Sequence, residues 1–78
     1  MPVSRHTSRY KRFQSMLKAA RKAKRLTQEQ VAGRLGRPQS FVAKYENGER
    51  RLDVVEFLDV AETLKLDLRE FFKALTPK

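Results

Sequence analysis

At 78 residues the chain has room for one small domain near the lower limit of what folds unaided, and the absence of cysteine removes disulfides and thiolate metal sites as sources of stability. No apolar run approaches the roughly 18 residues needed to span a bilayer, and the first ten residues are polar with no hydrophobic stretch behind them, so a cytoplasmic protein without membrane attachment is expected. The net charge of +9 is one-sided: residues 1–25 hold nine Lys/Arg and no acid, residues 26–51 five basic and three acidic, residues 52–78 four basic and six acidic, a distribution that favours a polyanionic partner through counterion release.

In chain order, residues 1–8 ("MPVSRHTS") have no apolar periodicity and are expected to form a flexible basic arm, with residues 9–78 as the folded domain. From Arg9 to about Lys24 the spacing of Phe13, Met16, Leu17 and Ala20 predicts a first helix with one apolar stripe flanked by cations. Thr27 is placed to cap a second helix, Gln28 to Leu35, and Gln30 three residues on can complete a capping box. Gly36 ends that helix, Pro38 suits the first turn of the next, and a third helix is predicted over Pro38 to Glu46, closed by Asn47 and Gly48. Asp53 is the expected cap of a fourth helix over Val54 to Lys65, with Val54, Phe57, Leu58, Ala61 and Leu64 as its apolar stripe. A last short helix carries Leu68, Phe71, Phe72 and Leu75 before Pro77. No strand pattern is present, so the predicted class is all-α with five helices.

The second and third predicted helices are joined by about three residues with a glycine at the turn, the arrangement of a helix-turn-helix. Counting from Gln28, the fifth place is Ala32, the ninth Gly36 and the fifteenth Val42. These supply a small side chain where the helices approach, a residue free to turn tightly, and a branched apolar anchor beneath the third helix. Val31, Leu35 and Tyr45 add buried support. With these residues in place, the chain from about Met16 to Phe72 resembles the phage-repressor-like (Xre/Cro-type) helix-turn-helix proteins, most specifically in "LTQEQVA", "YENGER" and "LDLREFF". The resemblance implies a five-helix bundle whose third helix enters the major groove of double-stranded DNA, usually in a symmetric dimer. Arg37 departs from the pattern, standing where a small apolar residue is commoner and adding a cation at the turn.

If Val42 and Tyr45, with Phe41 in part, face the bundle, then Gln39, Ser40, Ala43 and Lys44 face away from it. Gln39 can pair with adenine N6/N7, Lys44 can donate to guanine O6/N7, Ser40 can bond to several base edges, and Ala43 permits close approach or contact with a thymine methyl. The resemblance implies phosphate contacts from Gln28 and Asn47. Arg37, Arg50 and Arg51 fit further backbone clamps, and Arg50 and Arg51 equally fit solvated loop charges. The arm's Arg5, Arg9 and Arg12 fit either a groove-tracking arm or an idle tail. Arg21 and Glu46 match a family pair that forms a half-buried salt bridge holding the reading helix to the first helix. A dimer surface is expected among Leu66, Leu68, Phe71, Phe72 and Leu75, which are more apolar residues than a final short helix needs.

His6 is the single histidine, and no nucleophile, base and orienting group can be assembled, so neither an enzyme nor a metal or cofactor site is predicted. The acids Glu56, Asp59 and Glu62 lie at helical-face spacing and are expected to be a solvated surface. The leading expectation is a sequence-specific transcriptional regulator, a repressor or autoregulator, bound as a homodimer to a palindromic operator, with no small-molecule ligand. A protein-binding adaptor or antitoxin-like module on the same fold is the alternative.

Overall fold

Thr7 opens the first helix by accepting a hydrogen bond from the Tyr10 amide (3.1 Å), the local interaction that satisfies an otherwise unpaired helix donor. In the computed structural model, which describes residues 7–76, the order is α1 (Ser8–Ala23), α2 (Gln28–Leu35), α3 (Gln39–Asn47), α4 (Val54–Leu64) and α5 (Leu68–Leu75), with no strand among the described residues. Thr7 and Ser8 therefore belong to the start of α1 rather than to the arm, and Arg5 and His6 lie outside the described residues.

The caps explain most of the boundaries. α2 and α4 each begin with a complete capping box, Thr27 with Gln30 and Asp53 with Glu56, and Asp67 accepts from the Glu70 amide at the start of α5. Pro38 is the cap residue of α3 rather than a member of its first turn: its backbone is extended (φ −66°, ψ 153°), and α3 starts without a side-chain cap. At the other end α3 runs one residue further than predicted, because the left-handed turn is made by Gly48 (φ 88°) and not by Asn47. Gly36 does the same for α2 (φ 68°), with the Arg37 amide donating back to the Ala32 carbonyl at 3.0 Å. α4 stops at Leu64, and Lys65 takes the left-handed conformation itself (φ 53°).

α3 packs against both α1 and α2, α4 against α2, and α5 against α1. Leu17, Val31, Val42, Tyr45, Val60 and Leu64 are almost completely excluded from solvent at the centre, each such aliphatic side chain contributing on the order of 1.5–3 kcal/mol. A second apolar layer is aromatic: Phe13, Phe57 and Phe71 meet with ring centroids 5.4–5.9 Å apart and bind α4 and α5 to α1. The predicted stripe of α4 is rotated. Phe57, Val60, Ala61 and Leu64 face the core, whereas Val54 (74% exposed) and Leu58 (45%) face outward.

Two glycines separate local propensity from tertiary constraint. Gly33 lies inside α2 with no atom near the position of a β-carbon, while a β-carbon on Gly48 would meet the buried Gln14 side chain at 2.7 Å in a backbone conformation unfavourable to any other residue. Gly33→Ala is expected to raise the unfolding free energy by roughly 0.5–1 kcal/mol and Gly48→Ala to lower it by about 1–2 kcal/mol, measured by urea denaturation.

Candidate nucleic-acid interface

The polar half of α3 stands clear of the bundle. Gln39, Ser40, Lys44 and Asn47 are exposed and Ala43 is half-buried between them, while Phe41, Val42, Tyr45 and Glu46 are buried. The five outward positions form two adjacent helical rows, 39–43–47 and 40–44, so they share one face. The sequence predicts Gln39, Ser40, Ala43 and Lys44 on this side, and Asn47 joins them because α3 runs through it. Phe41 is more buried than expected, because two arginines lie over its ring.

What holds this face in place is a continuous polar chain. Arg21 on α1 donates to both oxygens of Glu46, from Nε to Oε2 at 2.7 Å and from Nη2 to Oε1 at 3.0 Å, and its Nη1 donates to the Leu26 carbonyl at 2.8 Å. The Glu46 hydrogen bonds, the largest cause, raise the Arg21 pKa above its ordinary range. Glu46 Oε1 also accepts from Gln28 Nε2 at 3.0 Å, and Gln28 Oε1 accepts from Gln39 Nε2 at 2.6 Å. A carboxylate can only accept, so Glu46 turns the Gln28 nitrogen inward and its oxygen outward. That oxygen in turn takes one N–H of Gln39. Among the described residues the Gln39 carboxamide makes no further hydrogen bond through its oxygen or its second N–H. Sequence reasoning assigned Gln28 to phosphate; the structure brings it between Glu46 and Gln39, a link that helical periodicity cannot reveal because Gln28 and Gln39 are on different helices.

Asn47 closes α3 locally, its Oδ1 accepting from the Glu49 amide at 3.2 Å. Arg37 and Arg50 converge from the two ends of α3 onto Phe41, their guanidinium carbons 4.4 and 4.8 Å from the ring centre. Both pair with Glu56, which was expected to be a solvated acid: Arg50 is bidentate at 2.8 Å to each oxygen, and Arg37 Nη2 lies 3.3 Å from Oε2. The Arg50 hydrogen bonds first, then the Asp53 amide, hold the Glu56 carboxyl down to about 2. Arg51 is not brought to α3. It stacks on Tyr10 at 4.4 Å and lines an apolar groove with Arg9, Phe13, Val54, Leu58, Phe72 and Leu75, while Tyr10 Oη accepts from the Leu52 amide at 3.2 Å. Arg12 is likewise on the far side, donating to the Ala74 carbonyl at the end of α5 (3.0 Å).

The helix-turn-helix family profile matches residues 17–71, which takes in the turn, the whole of α3 and the chain as far as Phe71. The chain belongs to the XRE family of helix-turn-helix proteins. An XRE-family like protein from Pseudomonas syringae pv. tomato str. DC3000 is similar in structure at 47% identity, with a TM-score of 0.84 and 92% of each chain covered. No curated protein matches the chain significantly. As an XRE-family protein it is a DNA-binding regulator built on five helices. No helix among the described residues is long and apolar enough to cross a membrane.

The Arg21–Glu46 pair is buried, so loss of one partner strands a charge. Arg21→Ala is expected to cost roughly 3–5 kcal/mol of unfolding free energy, and Arg21→Lys to recover only part of it because an ammonium cannot match the two-oxygen fork and the Leu26 carbonyl together. Urea denaturation of the two variants beside the parent protein measures both values.

Proposed function

We propose that this XRE-family protein represses transcription, its own included, by seating α3 in the major groove of a palindromic operator as a homodimer. The observation that carries the reading is the hydrogen-bonded chain from Arg21 to Gln39. It presents to solvent a glutamine with one free acceptor and one free donor, the complement of adenine N6–H and N7. Lys44 and Ser40 on the same face supply a donor for guanine and an adaptable hydroxyl, and Ala43 leaves room for a thymine methyl. Asn47 and the cations at the two ends of α3 flank that face, suited to phosphate.

Two copies are needed because a nine-residue helix reads only a few base pairs, whereas half-sites one helical turn apart, about 34 Å, multiply specificity. Of the five residues expected at the dimer surface, Phe71 is committed to the core at 7% exposure, and Leu66, Leu68 and Leu75 pack partly against it. Phe72 rests its ring near Phe57 and Phe71 yet stays 47% exposed, and Val54 and Leu58 on α4 line the same apolar groove. We assign this face to a second copy of the chain, its groove lined by Arg9, Arg51 and Asp53 around an apolar centre.

Selection of bound sequences from a random duplex pool is expected to recover an inverted repeat, and recovery of no consensus sinks the operator reading. On the selected site Gln39→Ala and Lys44→Ala are each expected to weaken binding by about 1–3 kcal/mol. Gln28→Ala is expected to act like Gln39→Ala, since it releases the same carboxamide. For the dimer, sedimentation of Leu58→Glu and Phe72→Glu is expected to show folded monomers where the parent protein sediments as a dimer at tens of micromolar; a parent monomer both free and on the operator contradicts it.

A further inference from the structure

The arginine pair over Phe41 is held unequally by a carboxylate from a third element. Arg37 comes from the α2–α3 turn and Arg50 from the loop after α3, yet both converge on one carboxylate, Glu56, at the start of α4. The two oxygens of Glu56 are fully engaged: Oε1 accepts from Arg50 Nη1 (2.8 Å) and the Asp53 amide (3.1 Å), and Oε2 from Arg50 Nη2 (2.8 Å) and Arg37 Nη2 (3.3 Å). Its side chain is only 14% exposed, and its depressed pKa keeps it ionised across the neutral range.

The two arginines are held unequally. Arg50 makes a two-point fork to the carboxylate and a further bond to the Arg51 carbonyl at 2.9 Å, so it is anchored. Arg37 makes a single long polar contact to Glu56 besides its stacking on Phe41, and its side chain is 44% exposed. Glu56 therefore competes with phosphate for the cation most able to leave, and Asp59 beside Arg37 and Asp53 near Arg50 add to the negative charge around the pair. Bidentate carboxylate and phosphate oxygens make the same demand on a guanidinium.

Resting on the DNA-binding reading, we infer that Glu56 is a specificity-setting residue: it occupies Arg37 as an internal counterpart of phosphate and releases it to the DNA backbone only when α3 is fully seated. On an unmatched duplex α3 stays shallow, Arg37 stays on Glu56, and one phosphate contact is missing. On the operator the base contacts fix the backbone beside Arg37, which offsets the loss of the Glu56 contact, and the exchange goes forward; on either duplex the backbone is within reach of an Arg37 that Glu56 does not hold. Glu56 thereby weakens nonspecific binding more than specific binding.

Glu56→Gln tests this, since it removes the charge while the amide oxygen can still accept from the Asp53 amide and complete the α4 capping box. Binding to a duplex of scrambled sequence is measured against salt, with folding of each variant followed by circular dichroism. Glu56→Gln is expected to bind the scrambled duplex roughly 3- to 10-fold more tightly at fixed salt, with a log–log salt slope steeper by about 1, as for one added phosphate contact. Glu62→Gln makes the same change in net charge away from both arginines and is expected to change affinity less than 2-fold. In an Arg37→Gln background the gain from Glu56→Gln is expected to vanish. A folded Glu56→Gln protein that binds the scrambled duplex no more tightly than Glu62→Gln overturns the inference, as does a gain that persists without Arg37. A parent protein that binds no duplex at all defeats the DNA-binding reading itself, a result distinct from either of these.

Discussion

The buried ion pair between Arg21 and Glu46 is the constraint on which the arrangement of α3 depends. Desolvating a guanidinium and a carboxylate is expensive, and mutual attraction alone does not offset it. Here the deficit is met by hydrogen bonds: two from Arg21 to Glu46, one from Arg21 to the Leu26 carbonyl, and one from Gln28 to Glu46. Those bonds reach α1, the α1–α2 turn, α2 and α3. A network that is satisfied at each of these points has one geometry, and the orientation of α3 is specified by it more sharply than by apolar contacts, which tolerate sliding.

α3 needs that help. It has nine residues and no side-chain cap at its start, and a helix of that length is marginal in isolation. Only half of its surface is available for packing, because the other half is left polar and exposed. Val42 and Tyr45 secure the buried half, and Gly48 ends it in a turn that lies against Gln14 of α1. The exposed half is then ordered from behind, through Glu46 and Gln28 to Gln39, so that a surface carboxamide inherits an orientation decided at a buried carboxylate.

The excess of cations is also less uniform in space than a net charge of +9 suggests. Arg21 is consumed in the core, Arg50 is tied to Glu56, and Arg51 is stacked on Tyr10 away from α3. Lys44 stands exposed on the polar face of α3, and Arg37 at the α2–α3 turn is held by its stacking on Phe41 and one long contact to Glu56. The electrostatic character of the interface therefore depends on which cations are already paired, a property set by neighbours in the fold. The aromatic layer of Phe13, Phe57 and Phe71 joins α5 to the bundle, and Phe72, packed at its edge, and Leu58 stay partly exposed, so one apolar cluster both completes the core and borders the exposed patch.

The five helices, their caps at Thr27, Asp53 and Gly36, and the polar face Gln39–Ser40–Ala43–Lys44 were legible in the linear chain, because helical periodicity and capping act over three or four neighbouring residues. The Arg21–Glu46 pair was reached only through family resemblance, since nothing local marks partners 25 positions apart. The outward turn of Val54 and Leu58, the burial of Phe71 and the displacement of Arg51 to Tyr10 were decided by which helix covers which. So were the link from Gln28 to Gln39, 11 positions away, and the meeting of Arg37 with Glu56, 19 positions away. Local sequence specifies what each side chain can do and which side of its helix it occupies. Partners on other helices, and with them the charge and orientation the α3 face presents, exist only once the helices are packed.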